Sequence, residues 1–139
     1  LMERGIKYRA DWIIDDRDNI YGKMNYDRQF ILPKEVPTAF FCNCDKAASL
    51  IIRKLEEAGY SVPGDVSVVG FDNFEYDQEA DIGITTYEIN IGEMAKRAVH
   101  IMLHKMQNAL YSAGVFSIQG KIIERESVKK IGKSVPYAK

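Results

Sequence analysis

The sequence lacks the features that mark membrane-spanning and disulfide-stabilised proteins. Its 139 residues include only two cysteines, Cys42 and Cys44, which are too close along the chain for an unstrained disulfide, so reduced thiols are expected. The longest apolar runs, at 38–42 and 101–103, fall far short of the roughly 20 residues that cross a bilayer. Residues 1–10 show no basic segment followed by an apolar run and a cleavage site, so no secretion signal is expected in the chain as given.

The sequence also has no marked excess of charge of either sign. The 19 Lys and Arg residues nearly balance the 20 Asp and Glu residues, and the longest basic run is the pair Lys129 and Lys130. A chain with a formal net charge of −1 has no global positive field to attract a phosphate backbone. These residues by themselves are therefore not expected to bind nucleic acid. The 46% apolar content is typical of one soluble domain with its own core.

The sequence does carry a clear strand–helix–strand unit between residues 37 and 73. The apolar run at 38–42 follows a proline and predicts a buried strand, and the β-branched run at 66–71 predicts a second one. Between them, Asp45 is placed to cap a helix that Gly59 ends. The apolar positions of this helix recur at helical spacing: Ala48, Ile51, Ile52, Leu55 and Ala58. Short connections of this kind predict a parallel sheet.

The flanking segments extend the same pattern. Strands are predicted at 12–14, 84–87 and 117–124, a less regular helix at 20–31, and a polar tail at 134–139. The longest predicted helix spans 91–110, with an inward stripe formed by Ile91, Met94, Ala95, Ala98, Met102, Met106 and Ala109. We therefore predict an α/β fold of three layers, with a mostly parallel sheet and helices on both faces.

The carboxyl ends of the predicted strands indicate where a ligand would bind. Ligands of open parallel sheets lie beyond these ends, which here are followed by Asp15 and Asp16, residues 41–44, residues 72–74, and residues 86–87. Asp72 and Asn73 would offer hydrogen-bonding groups, and Phe41 and Phe74 would offer aromatic faces for a ring to stack on. The alternative for Asp72 is a loop aspartate that caps a short helix.

Catalytic and metal sites are less well supported. Asp16 and Asp18 resemble the nucleophile loop of haloacid-dehalogenase-like phosphatases, which use Mg²⁺, but the usual Gly-Thr is replaced by Asn19 and Ile20, so a solvated turn is favoured. His100 and His104 have metal-binding spacing but lie opposite the apolar stripe, which favours a solvated surface. No nucleophile elbow or phosphate loop is present. We expect no catalytic residue, metal site or cofactor.

Four blocks of sequence together resemble the carboxyl-terminal half of a LacI/GalR-family transcriptional regulator. They are PTAFFC at 37–42, VPGDVSVVGFDN at 62–73, ITT at 84–86 and IERES at 123–127. The resemblance covers roughly residues 1–128, and the block at 62–73 is its most specific part.

That resemblance implies an effector-binding module with the type I fold of periplasmic binding proteins. Residues 1–139 would form a single effector-binding lobe, the second of two, with 121–139 returning towards the first lobe and ending in a tail. The whole regulator would be a cytoplasmic homodimer that reads operator DNA only through an amino-terminal helix-turn-helix domain outside this chain, with no membrane contact. Its ligand would be a small, sugar-like effector bound by residues at the strand ends: Asp72, Phe41, Asn43, Cys44, Asn73 and Phe74.

Three positions depart from the family pattern. Cys44 stands where many members have an asparagine that contacts sugar hydroxyls, Leu50 replaces a small glycine, and Asn90 replaces a proline. A divergent ligand is therefore expected. Two alternatives remain open at this stage: the Mg²⁺-dependent phosphatase, and an exported sugar-binding protein of the same fold.

Overall fold

The computed structural model describes residues 9–15, 31–74 and 81–130, which form a mixed four-stranded sheet with helices. In chain order the elements are a 3₁₀ turn (Ala10–Trp12), β1 (Ala39–Phe41), α1 (Asp45–Glu57), β2 (Ser67–Asp72), β3 (Thr85–Glu88), α2 (Ile91–Gln107) and β4 (Lys121–Ile123). Strands β1, β2 and β3 are parallel neighbours, and β4 pairs antiparallel with β3. The predicted α/β fold with a mostly parallel sheet is confirmed.

Helix α1 packs against β2 and supplies about half of the core. Its apolar face buries Ala48, Ile51, Ile52 and Leu55 against a cluster that includes Val68 of β2. Four of the five apolar positions predicted from the sequence are therefore buried, which drives the helix onto the sheet by removing apolar surface from water. The fifth, Ala58, is the C-cap and is exposed.

The ends of α1 are set by two local motifs. Cys44, not Asp45, is the N-cap, because its Sγ accepts the Ala47 N–H at 3.4 Å. The capping role predicted for Asp45 is therefore wrong, and Asp45 is the first residue of the helix. At the other end Gly59 has φ +86°, and the Tyr60 N–H donates to the Leu55 carbonyl at 2.9 Å. This Schellman motif needs a left-handed residue, which glycine provides without strain.

Asp45, at the start of α1, is buried although its side chain is ionisable. Its side chain lies over Gly70 of β2, where a Cβ would collide with Oδ1, and the residue is 4% exposed. Neither Asp45 Oδ1 nor the Thr86 hydroxyl has a hydrogen-bond partner among the described residues. Burial raises the pKa of the Asp45 carboxyl and the nearby Asp72 raises it further, whereas the Arg125 guanidinium opposes the rise.

Ser127 joins the amino ends of β2 and β3. Its hydroxyl donates to the Val68 carbonyl at 2.6 Å and accepts the Thr85 N–H at 2.8 Å. Its own carbonyl accepts the Val68 N–H, and its own N–H donates to the Gly83 carbonyl. Ser127 is fully buried, so it satisfies backbone groups that water does not reach.

Some sequence expectations differ from the structure or lie outside it. The strand predicted at 12–14 is wrong, because Trp12 ends the 3₁₀ turn and the next two residues form no strand. The Trp12 indole N–H donates to the Glu35 carbonyl at 3.0 Å. The helix predicted at 20–31, apart from Ile31, and the tail predicted at 134–139 lie outside the described residues.

Helix α2 forms where it was predicted, but the inward position of its stripe is not observed. No residue of α2 is buried against the described parts of the chain, and Met102 and Met106 are largely exposed. One helix layer, α1, therefore covers the described sheet. Within the described ranges no helix is long and apolar enough to cross a membrane.

Replacing Ser127 by alanine is expected to destabilise the fold strongly. The change leaves the buried Thr85 N–H and Val68 carbonyl each short of a partner, and one such group costs about 1–3 kcal/mol. We expect the free energy of unfolding, measured by urea denaturation, to fall by at least about 2 kcal/mol. The exposed Ser117→Ala is the control, with a change within about 0.5 kcal/mol. Equal effects of the two substitutions would contradict this role.

The raised pKa of Asp45 predicts a specific pH dependence of stability. Because the folded state binds this proton more tightly than the unfolded chain, the contribution of Asp45 to stability is fully present below the unfolded value of 3.8 and is lost as pH rises through the raised folded pKa. Relative to Asp45→Asn, the native protein should therefore lose free energy of unfolding between about pH 4 and neutrality. Urea titrations of both proteins across this range measure the difference, and a pH-independent difference would refute the assignment.

Candidate ligand-binding site

The loop that follows β2 has an unusual backbone. Asp72 and Asn73 have φ values of +93° and +53°, in the left-handed region that few residues other than glycine adopt. Asp72 Oδ1 accepts the Phe74 N–H at 3.1 Å, which closes a tight turn as the chain leaves the sheet. The turn leaves the Asp72 side chain only partly buried and Phe74 54% exposed at the carboxyl end of the strand.

Asn73 is held by a chain of polar contacts. Its Oδ1 accepts from Arg125 Nη2 at 2.7 Å, and its Nδ2 donates to Glu88 Oε1 at 2.9 Å. Lys121 then pairs with Glu88 Oε2 at 2.9 Å. Hydrogen bonds from Lys121 and Asn73 lower the pKa of the Glu88 carboxyl. Both ends of the Asn73 amide are therefore engaged within the protein.

A second group of predicted site residues follows β1. Phe41 is 76% exposed and pairs in register with Val69, so it lies beside the strand that ends in Asp72. Asn43 is also exposed, whereas the Cys44 sulfur serves as the N-cap of α1. Phe41 and Asn43 line a small cleft of about 170 Å³ together with Trp12, Ile14, Phe40, Cys42, Ala47 and Ile51.

The six predicted site residues thus fall into two groups at one edge of the sheet. Asp72, Asn73 and Phe74 share one loop, and Phe41, Asn43 and Cys44 follow the neighbouring parallel strand. The carboxyl ends of parallel neighbours lie at the same edge, which is where a ligand of an open sheet binds.

A larger cleft adjoins this edge and was missed from the sequence. Its volume is about 560 Å³, and it is lined by the end of β3, the start of α2 and the start of β4: Glu88, Ile89, Asn90, Ile91, Gly92, Gln119, Gly120 and Lys121. The Asn90 side chain caps α2 by accepting the Glu93 N–H at 3.0 Å. The strand-end rule had indicated residues 86–87, so part of the signal was present. Gly120 lies close to β3, where its N–H donates to the Tyr87 hydroxyl at 2.8 Å. No pattern in the sequence indicated this contact.

The groups at this edge suit reversible binding. They offer a carboxylate, amides and exposed aromatic rings, which hydrogen-bond hydroxyl groups and stack on rings. In the described part of the chain, no group of three or more His, Cys, Asp or Glu side chains is arranged to hold a metal ion. His100 and His104 are exposed on α2 with ring centroids 4.4 Å apart. Asp16 and Asp18 lie outside the described residues.

Comparison with known proteins identifies the family. Residues 2–128 match the periplasmic binding protein-like domain. The chain is 30% identical over 131 residues to the HTH-type transcriptional repressor PurR of Photobacterium profundum, an alignment that covers 94% of this chain and 39% of that repressor. This chain therefore spans about two fifths of the length of such relatives.

Two solved structures show the same fold. A LacI-type putative transcriptional regulator of Bacillus cereus subsp. cytotoxis superimposes with a TM-score of 0.63 at 27% identity, over 69% of this chain and 34% of that one. A LacI family regulator of Lactobacillus casei, with bound sucrose, superimposes with a TM-score of 0.56 at 28% identity, over 70% and 36% of the two chains. The chain belongs to the periplasmic binding protein-like domain family, in the form of the effector-binding domain of LacI-type transcriptional regulators.

Proposed function

We propose that this chain is the effector-binding and dimerising module of a LacI-type transcriptional regulator, with no catalytic role and no cofactor. The observation that carries the proposal is the Asp72 loop. A carboxylate with one oxygen fixed by the Phe74 N–H is presented at the carboxyl edge of a parallel sheet, in a fold shared with LacI-type regulators. The similarity to transcriptional repressors favours this role over the phosphatase and over an exported sugar-binding protein.

The ligand is proposed to be a sugar or a related small polar molecule. Asp72 accepts hydrogen bonds from hydroxyl or amine groups of the ligand, while Phe41 and Phe74 flank the ring of the ligand. Asn43, Cys44 and Asn73 complete the contacts, with Asn73 acting largely through its neighbours because its amide is already engaged. The sucrose-bound relative supports this ligand class. Cys44 supplies only a weak donor or acceptor, so the preferred sugar differs from those that need an asparagine there.

Control of transcription follows from the place of this lobe in the whole protein. We propose that residues 1–139 form one lobe, with 121–139 returning towards a first lobe outside this chain. Closure of two lobes over an effector shifts a two-state equilibrium, and so alters the spacing of the helix-turn-helix domains on operator DNA. The repressor relatives support this role and, with it, a cytoplasmic location. In this proposal the chain contacts DNA only through that separate domain and does not contact a membrane.

The binding proposal predicts the effect of one substitution. Asp72→Asn removes the charge that strengthens hydrogen bonds to the ligand, and such bonds contribute about 1.5–3 kcal/mol. We expect affinity to fall about tenfold to a hundredfold. A thermal-shift screen of the complete regulator with sucrose, cellobiose and purine bases first selects the ligand that binds. Isothermal titration then measures the affinity of the native protein and of the variant for that ligand.

Asp65→Asn is the matched control. Asp65 precedes β2, at the opposite edge of the sheet, where its carboxylate accepts hydrogen bonds from Ser61. The control substitution should therefore affect stability but leave ligand affinity unchanged. If Asp72→Asn bound the selected ligand as tightly as the native protein, the assignment of the site would fail.

Dimerisation is a separate part of the proposal. We place the contact in residues 74–81 and part of the helix at 45–59, on the basis of the family resemblance. Light scattering of the complete regulator should give the mass of two chains at micromolar concentration. A strict monomer at high concentration would contradict this part of the proposal and leave the ligand site untouched.

A further inference from the structure

Arg125 is fixed to β3 by its own backbone. Its N–H donates to Thr85 Oγ1 at 2.9 Å, and its carbonyl accepts from the same hydroxyl at 3.0 Å. Two residues later, Ser127 is locked between β2 and β3. The position of the Arg125 side chain is therefore set by the sheet rather than by a mobile loop.

The guanidinium of Arg125 bridges the loop after β2 and the residue that precedes β3. Nη1 donates to the Ile84 carbonyl at 2.7 Å, and Nη2 donates to Asn73 Oδ1 at 2.7 Å. A planar fork can hold two acceptors at once, which a lysine ammonium does with less geometric definition. Arg125 thus ties the loop after β2 to the edge of β3.

The loop needs such a tie because its backbone is strained. The φ of +93° at Asp72 lies outside the αL region that Asp and Asn adopt readily, so it persists only when the surroundings fix it. Asn73 is fixed from both sides, by Arg125 and by Glu88. The turn that presents the Asp72 carboxylate is continuous with Asn73, so the orientation of that carboxylate depends on the same contacts.

We propose that Arg125 is a positioning residue for effector binding, which acts through Asn73 to hold the Asp72 carboxylate in its binding orientation. The inference rests on the proposed function of the Asp72 loop. It adds a residue that does not itself touch the ligand but determines its affinity. Since Arg125 lies in the segment that returns from β4, the same contact ties the effector loop to that segment.

The first test is amide hydrogen exchange in the loop, which needs no ligand. Arg125→Met should raise the exchange rate of the Phe74 amide at least tenfold, and Arg125→Lys should recover part of the protection. Arg97→Met, on the exposed face of α2, is the matched control and should leave that rate unchanged. Global stability is followed by thermal unfolding, so that local loosening is distinguished from general destabilisation.

The second test is affinity for sucrose, cellobiose and purine bases, measured on the complete regulator. Arg125→Met should weaken binding of the selected ligand at least tenfold, and Arg125→Lys by less. Asn73→Ala should cause a similar loss, and the double variant should be no weaker than either single variant, because both act on the same turn. If Arg125→Met fails to fold, Asn73→Ala still tests the hydrogen bond between Arg125 and Asn73, because it removes the acceptor instead of the donor.

The outcomes separate the two proposals. If Asp72→Asn abolishes binding but the Arg125 and Asn73 variants bind normally with unchanged loop exchange, the positioning role is overturned and the site stands. If Asp72→Asn has no effect on binding, the proposed function fails instead. If none of these ligands binds the native protein, unchanged exchange in Arg125→Met still overturns the positioning role, and raised exchange supports it.

Discussion

The structure depends on the insertion of Ser127 between the amino ends of β2 and β3. Four hydrogen bonds connect this one buried residue to Val68, Gly83 and Thr85. Backbone groups at this depth have no access to water, and each one left without a partner costs about 1–3 kcal/mol. The segment that follows β4 is therefore bonded to the sheet, although β4 itself ends at Ile123.

The position of Ser127 also determines which side chains meet at the carboxyl edge of the sheet, where the ligand is proposed to bind. With Ser127 fixed, Arg125 stands beside Ile84 and Thr85 and reaches Asn73 across the sheet. Asn73 then meets Glu88, and Glu88 meets Lys121 of β4. A polar chain thus runs from the loop after β2 to the strand that leads into the return segment. In the two-lobed regulator that we propose, such a chain would connect the proposed effector site to the segment that returns towards the other lobe.

Much of the fold could be predicted because local sequence patterns agreed with packing. Helix α1 has its apolar face, its glycine stop and two flanking apolar strands all encoded within residues 37–73, and each formed as expected. The strand predicted at 12–14 did not form, because the Trp12 and Ile13 N–H groups donate to the Arg9 and Ala10 carbonyls in a 3₁₀ turn. For α2, the periodicity predicted the helix correctly. It could not predict whether the apolar face of the helix would be covered, because that depends on the tertiary structure.

The candidate site was predicted in part for a similar reason. The rule that ligands meet the carboxyl ends of parallel strands needs only the strand positions, and it identified Asp72 and Phe41. The roles of Asn73 and Arg125 depend on a contact between residues 52 positions apart, which no local pattern reveals. Burial of Asp45 over Gly70 is likewise a long-range contact, although Gly70 is the only residue in the block at 66–71 that leaves room for it.

The central claim is that an effector binds at the edge of the sheet where β1 and β2 end. A crystal structure of the complete regulator with its bound effector tests this claim most directly. We expect ligand density within hydrogen-bonding distance of the Asp72 carboxylate, beside Phe41 and Phe74, with Arg125 still bonded to Asn73. Density at another surface, with Asp72 free of contact, would contradict it.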